Sequence, residues 1–452
     1  MQEDRGGFVL SIVQESRQLA VYIYSAGGAL AASVSRVWEG PLSADELLSS
    51  AITLSDVAVR RAGVTPFELV GVSVAASPHA VVCWEAVSGR PLGLWQTPVD
   101  WTARGSASRT TFLRSLTPGL AVDSERGAHG LRVGGVESWL VWNLTQGEAF
   151  ALDVSHDLAD LAPRRPDAGL QDAGLPDTLW PSVARGPGVL GRVAAVYLGG
   201  ARPPVTSVAC APAAALYATG VQDAGAVFIG YREDGYTVAR LEQRHLSLLA
   251  PGVRATVKPL GLPHSGDPAY ACFGRFFAPQ LALLWLETMF AKPDQSELAE
   301  SLFAGDAFVV HAPGDRADRV TLAGVDVNSG SVDLFAAALR SMALCVDSSL
   351  ACVPSGSVLR LQLFADDFSF AEPSLFAFQA SLEQCAVTVS AGDASGFGAG
   401  LLALVGADEL SPVKARELAQ FGVHRERYDP ARAVPGLDRL RERWRKWEND
   451  LL

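Results

Sequence analysis

The stretch that most constrains this chain lies within its first eighty or so residues. Three apolar runs, residues 8–12, 19–24 and 30–38, follow one another with short breaks, the second of which carries Gly27-Gly28. That spacing predicts three antiparallel strands joined by hairpins. Ser43, with Glu46 three residues later, then opens a helical pattern of Leu47, Leu48, Ile52, Leu54, Val57 and Val59 that stops at Gly63. The Ser-Glu pair reads as a capping box and the glycine as a helix stop. A buried strand over residues 69–75 follows.

Strand, strand, strand, helix, strand is the opening of a ribonuclease-H-like domain, the unit of the sugar kinase, actin and Hsp70 superfamily. Further along, periodicity predicts a helix over 334–344, a strand over 358–364 and helices over 374–382 and 399–405, so the second half also reads as α/β. With 452 residues the chain has length for two or more full domains. Residues 163–188, rich in Pro, Gly and Asp, and the polar cluster 262–268 are expected to be surface loops.

Composition narrows the function classes. The net charge of -12 leaves no basic footprint for nucleic acid, and only four of the 37 cationic residues are lysines, all beyond residue 250. Six scattered cysteines form no C-x-x-C pair, which argues against a zinc site or a disulfide framework; they read as small buried side chains in a reducing compartment. The acidic amino terminus lacks the pattern of a signal peptide. The apolar run 276–290, interrupted by Gln280 and Glu287, is too short to span a membrane. The expectation is a soluble cytoplasmic protein without nucleic-acid or membrane partners.

Several stretches, in order, resemble glycerol kinase and its relatives in the FGGY carbohydrate kinase family: residues 6–38, VVCWEAVSGRPL at 81–92, SWLVWNLTQG at 138–147, LWPSVARGPGVLGRVA at 179–194, PVTSVACAPAAALYATG at 204–220, SLFAFQASL at 374–382 and SGFGAGLLAL at 395–404. The chain is shorter than typical members around residues 105–135 and 306–330. The resemblance implies two ribonuclease-H-like domains flanking a central cleft, residues 1–219 on the substrate side and 220–452 on the nucleotide side.

It also implies four constellations for moving a phosphoryl group from ATP to a hydroxyl. The family's first strand ends in an acid and a Gly-Thr-Thr/Ser turn; here Val13 takes the acid's position and Glu15 the glycine's, so the stretch reads as an ordinary hairpin turn. The family's base is the Asp of a Gly-Asp-Gln-Gln run; here Ala211 and Pro212 stand in that stretch. The Arg-Glu pair that holds substrate hydroxyls is matched by Pro78 and His79, and a lone histidine at a strand end reads as solvated. The nucleotide turns, Gly-Thr-Gly and Asp-Gly-Gly in the family, are matched by Asp223-Ala224-Gly225 and by Asp366-Asp367-Phe368.

The expected function is therefore a glycerol or carbohydrate kinase-like protein that has lost ATP-dependent phosphotransfer, not an enzyme, acting as a ligand-binding, regulatory or scaffold protein. No cofactor or metal is expected on that reading. Its partners would be a small polyol or sugar in the cleft, a second copy, or an authentic kinase. The alternative is an active divergent FGGY kinase using Mg-ATP on glycerol or another polyol or sugar, with Asp100, Asp153 or Asp366 recruited as the carboxylate. A third reading, a Ser- or Cys-dependent hydrolase, has little support, because the seven histidines follow no recognisable triad spacing, although dispersion in sequence does not exclude proximity in space.

Overall fold

The first three strands form as the hairpin pattern predicts: β1 (Phe8–Glu15), β2 (Gln18–Ser25) and β3 (Leu30–Val37) pair antiparallel in succession. A computed structural model describes all residues except 1–6, 16, 39–42, 98–110, 113–114, 117–129, 162–176, 233, 250–254, 263–268, 278–279, 306, 312–319, 354–359, 368–371, 432 and 452. The chain divides into two units, Met1–Gln222 with Val257–Ala271 and Ala394–Val423, and Asp223–Thr256 with Cys272–Asp393 and His424–Leu452. The first unit thus takes in two segments from the second half of the sequence, whereas the second unit takes none from the first 222 residues.

In the first unit, β4 (Leu69–Ala76) lies parallel to β1, and β11 (Pro204–Cys210) parallel to β4, giving the sheet order β10-β11-β4-β1-β2-β3 with β10 (Gly191–Arg192) at one edge. Helix α1 (Ala44–Ala62) covers one face, burying Leu47 and Ala51 with Leu10, Ile12, Val21 and Ile23 of the strands. Ser43 is its N-cap residue but makes no side-chain capping bond, so the expected box does not form. Asp45 and Glu46 in the first turn and Arg60 and Arg61 in the last complement the helix dipole instead, and Gly63 ends the helix at φ 67° as expected.

A smaller sheet of β5 (Ala80–Glu85), β6 (Pro91–Gln96) and β7 (Leu131–Gly135), with β5 central, leads into helix α2 (Val136–Leu144). Strands β8 (Ala151–Asp153) and β9 (Ser182–Ala184) pair in parallel, and α3 (Ala211–Tyr217) starts directly where β11 ends.

In the second unit β12 (Ala226–Gly230) pairs antiparallel with β13 (Asp234–Glu242) and parallel with β18 (Gln362–Asp366). The full order is β14-β15-β13-β12-β18-β19-β20, where β14 is Ala255–Pro259, β15 Ala269–Phe277, β19 Val387–Ser390 and β20 Arg425–Tyr428. A two-stranded pair, β16 (Phe308–His311) with β17 (Val320–Ala323), lies between helices α4 (Gln280–Met289), α5 (Gln295–Ala304) and α6 (Ser331–Leu350) in the sequence. Helix α7 (Pro373–Glu383) precedes β19. Of the expected strand 358–364, residues 358–359 lie outside the described residues; β18 itself starts at Gln362, with Leu363, Phe364, Ala365 and Asp366 buried and Arg360 exposed.

Both large sheets share one plan: a first strand flanked on one side by its antiparallel partner and on the other by a parallel pair. This is the ribonuclease-H-like plan, present twice, and the fold is α/β as the sequence pattern implies. Helix α8 (Ala394–Gly406), followed by α9 (Pro412–Phe421), packs on the first sheet; α10 (Leu437–Leu451) closes the chain. The glycines of α8 make its close approach possible: a Cβ at Gly398 would lie 1.9 Å from the Ala214 carbonyl oxygen of α3. At Gly400 it would meet the Tyr24 ring of β2 at 2.6 Å.

Candidate functional site

Parallel strands bring their carboxyl ends to one edge, and in open α/β sheets ligands bind there. Along β4, Ala76 is paired with Gln14 of β1 on one side and with Cys210 of β11 on the other. The register therefore brings the segments Val13–Glu15, Ser77–His79 and Cys210–Pro212 to the same edge of the first sheet. Three of the four stretches singled out in the sequence therefore lie at one end of this sheet.

Their chemistry is largely structural. Val13 is buried, and Glu15 accepts a hydrogen bond at Oε1 from Ser395 Oγ at 3.1 Å, which ties the end of β1 to the first turn of α8. Ala211 and Pro212 are buried at the first two positions of α3, where Pro suits the helix start. A methyl side chain at Ala211 neither accepts a proton nor orients a hydroxyl.

His79 differs from its expectation: it is not a lone solvated histidine. Its Nδ1 lies 2.8 Å from Oδ2 of Asp157, and its side chain is 19% exposed against 5% for the aspartate. The turn between β4 and β5 is clamped to that partner, since Asp157 N–H donates to the Pro78 carbonyl at 3.2 Å and Thr97 N–H to that of His79 at 2.8 Å. The Thr97 hydroxyl donates to the same carboxylate oxygen. Burial alone would raise the Asp157 pKa, but His79, the Lys258 charge and the Thr97 hydroxyl together hold it well below the usual carboxylate range.

Lys258 itself is 1% exposed, a buried cation beside a buried anion. Neighbouring His156 accepts from Leu158 N–H at Nδ1, leaving Nε2 to donate to the Ala80 carbonyl. Burial pushes its pKa down to about 4, so it is neutral at pH 7.

Asp153, one of the recruited-carboxylate candidates, belongs to a second buried group with Glu137 and Cys210. It accepts from Ser155 N–H at 2.8 Å and from the Ser155 hydroxyl, yet burial leaves its pKa raised. The Glu137 carboxyl folds back over Gly135, where a Cβ would lie 2.2 Å from Oε2. Neither of its oxygens has a partner at full hydrogen-bond geometry, although the N–H groups of Glu137 and Asp153 lean towards it. Burial, with the Asp153 charge, raises the Glu137 pKa well above the ordinary value, and burial with both carboxylates raises that of the Cys210 thiol.

A carboxyl whose folded pKa is raised contributes stability at low pH and loses it as the pH climbs from the unfolded value through the folded one. Glu137→Gln is therefore expected to flatten the fall of melting temperature as the pH climbs above the ordinary carboxylate range, where one such group contributes up to about 1.4 kcal/mol per pH unit. Melting curves across that range test this; an unchanged slope would show that Glu137 ionises freely in the fold.

In the second unit, the remaining candidate, Asp366 at the end of β18, accepts from Arg232 Nη2 at 3.1 Å, and the same nitrogen reaches Asp393 Oδ1 at 3.2 Å. All three side chains are almost fully buried. Asp367 accepts from Gly392 N–H at 2.5 Å, and Gly225 keeps a turn conformation at φ 92°. Asp100 and Phe368 lie outside the described residues. Asp157, Thr97, Lys258, Arg232 and Asp393 escaped the sequence reading. The one usable signal was the density of the run Asp153-Val154-Ser155-His156-Asp157.

No family model matches the chain. It is 25% identical over 383 residues to the glycerol kinase of Trichlorobacter lovleyi, covering 75% of this chain and 76% of that one. Against the glycerol kinase of Halorhodospira halophila the identity is 27% over 280 residues, covering 54% and 53%. Against that of Vibrio atlanticus it is 24% over 260 residues, covering 51% and 50%. The match thus spans about half the length of the latter two relatives.

In fold, the chain is similar to the Plasmodium falciparum glycerol kinase solved with ADP, with a TM-score of 0.75 at 16% identity and 98% of each chain covered. It is likewise similar to the xylulose kinase of Rhodospirillum rubrum, with a TM-score of 0.69 at 20% identity and 98% of each covered. Duplicated sheets, converging strand ends and collinear sequence similarity lead to one conclusion: the chain is similar in sequence to glycerol kinases and shares the fold of the solved glycerol and xylulose kinases.

Proposed function

We propose that this glycerol kinase-like protein has lost ATP-dependent phosphotransfer and serves as a ligand-binding, regulatory or scaffold protein. The observation that carries the reading is Ala211, buried at the start of α3 in the stretch that resembles the family's base-bearing run. Loss of a general base costs about 10²–10⁴ in rate. Glu15, bound to Ser395, puts a carboxylate where the family has a glycine facing phosphate, and Asp366 is engaged by Arg232. These residues do not fit Mg-ATP, so no step is routed through it. On this reading residues 1–219 are the ligand side, 220–452 the degenerate nucleotide side, and the ligand is a small polyol or sugar.

A scaffold role beside a second copy or an authentic kinase would draw on exposed apolar surface such as Leu284, Trp285 and Met289 of α4. Among the described residues no helix is long and apolar enough to cross a membrane. A cytoplasmic location remains part of the proposal.

One observation favours the second reading, an active divergent kinase. A histidine whose Nδ1 is fixed by a buried carboxylate is arranged to take a proton at Nε2, and His79 with Asp157 has that arrangement.

Thermal shift with Mg-ATP, alone and with a panel of glycerol, other polyols and sugars, separates the readings, because a ligand of the native state at 100 times its Kd stabilises by about 2.7 kcal/mol. The expected result is no saturable shift with Mg-ATP. A saturable shift accompanied by ADP release that His79→Ala abolishes would replace this proposal with the second reading.

A further inference from the structure

Of the six cysteines, Cys272 and Cys352 meet in the second unit with their sulfurs 3.6 Å apart, although 80 positions separate them in sequence. Cys272 lies on β15, and Cys352 in the turn after α6. The end of α6 can come this close to β15 because Gly274 has no side chain: a Cβ there would lie 2.8 Å from Ser349 Cβ. Ser349 Oγ, within 3.0 Å of Thr237 Oγ1 of β13, fixes the helix end across the same sheet. The two thiols are thus held face to face by the packing of three elements. Cys83 and Cys210 are buried on the other unit, and Cys385 is half-buried.

We infer that Cys272 and Cys352 form a reversible intramolecular disulfide when the protein meets a hydroperoxide, a modification that fastens the end of α6 to β15. The Cys352 thiolate attacks the terminal peroxide oxygen, the O–O bond breaks, and the leaving oxygen takes up the proton that Cys352 released on ionising, departing as an alcohol, or as water from hydrogen peroxide. Cys272 sulfur then attacks the sulfenic sulfur of Cys352; the S–S bond forms, the S–O bond breaks, and the hydroxyl leaves as water with the Cys272 proton. Two thiols are oxidised by two electrons and the peroxide is reduced. Cys352 is the attacking group because it sits in a turn, and because the hydrogen bond from Cys272 lowers its pKa while raising that of Cys272. The inference does not depend on the kinase reading.

The full chain treated with a few equivalents of hydrogen peroxide tests it, followed by alkylation after unfolding, intact mass and peptide mapping without reductant. The expected product has four alkylatable thiols in place of six, a linked peptide pair containing Cys272 and Cys352, and a higher melting temperature that dithiothreitol reverses. Cys272→Ser is expected to give sulfenic or sulfinic acid at Cys352, and Cys352→Ser no loss of paired thiols. Six thiols retained after treatment, over-oxidation of Cys352 in the unaltered chain, or a linked pair of other cysteines would each overturn the inference. Because both single variants are compared with the unaltered chain, failure of one to fold leaves the peptide map decisive.

Discussion

Arg232→Ala is expected to lower the stability of the second unit by about 3–5 kcal/mol at neutral pH, the cost of leaving a buried charge without its partner. The variant removes the guanidinium from beside two carboxylates, Asp366 and Asp393, whose side chains are each 1% exposed. In the native packing they are shielded from water, and two carboxylates held at one nitrogen repel each other once it is gone. The loss is expected to shrink in acid, where carboxylic acids carry no charge. Adding Asp366→Asn and Asp393→Asn to Arg232→Met is expected to recover much of it, since a neutral replacement of a buried ionic group is often close to neutral in stability. Calorimetry of the single and triple variants decides; a single-variant loss under about 1 kcal/mol would mean that the trio is solvated and contributes little.

Asp157→Ala is expected to cost about as much in the first unit, because it removes the anion beside buried Lys258 and His79 and the acceptor of the Thr97 hydroxyl. The pH dependence supplies a check on cause. Asp157 has its folded pKa lowered, so its contribution is fully present above the unfolded carboxylate value and disappears as the pH falls through the folded one. Asp157→Asn is accordingly expected to lose stability near neutrality and to approach the unaltered chain progressively as the pH is lowered from the ordinary carboxylate range through the depressed folded value. Equal losses at both ends of that range would assign the effect to packing. The same variant bears on function, since on the second reading any ADP release depends on His79 being held in one orientation, whereas on the first no release exists to be lost.

Both predictions concern residues that the sequence left unremarked or misread. His79 read as solvated because nothing near it in sequence is an acid; its partner lies 78 positions away. Asp366 stands in the sequence as a candidate carboxylate, while Arg232, 134 positions away, carries no pattern that points to their contact. Of the strand expected over 358–364, the described part pairs in the sheet from Gln362, where the buried run Leu363 to Asp366 follows. Ser43 was expected to cap α1 through its side chain, but a sequence match for a capping box fixes the helix start without fixing the side-chain rotamer.

The sequence by itself determined the opening strand-strand-strand-helix-strand order, the α/β class and the similarity to glycerol kinases. These are properties of runs of residues: alternation and 3.6-residue periodicity record which face of an element is buried, and collinear similarity sums over many positions. Only the tertiary structure decided which single side chains meet. The His79–Asp157 pair, the Arg232–Asp366–Asp393 trio, the Glu137–Asp153–Cys210 group and the Cys272–Cys352 contact each depend on the register of parallel strands or on a helix end seated at a glycine. A periodic pattern specifies burial, and burial is satisfied by any apolar partner. A charge or a thiol finds its particular partner only once the chain has closed over the long loops between them.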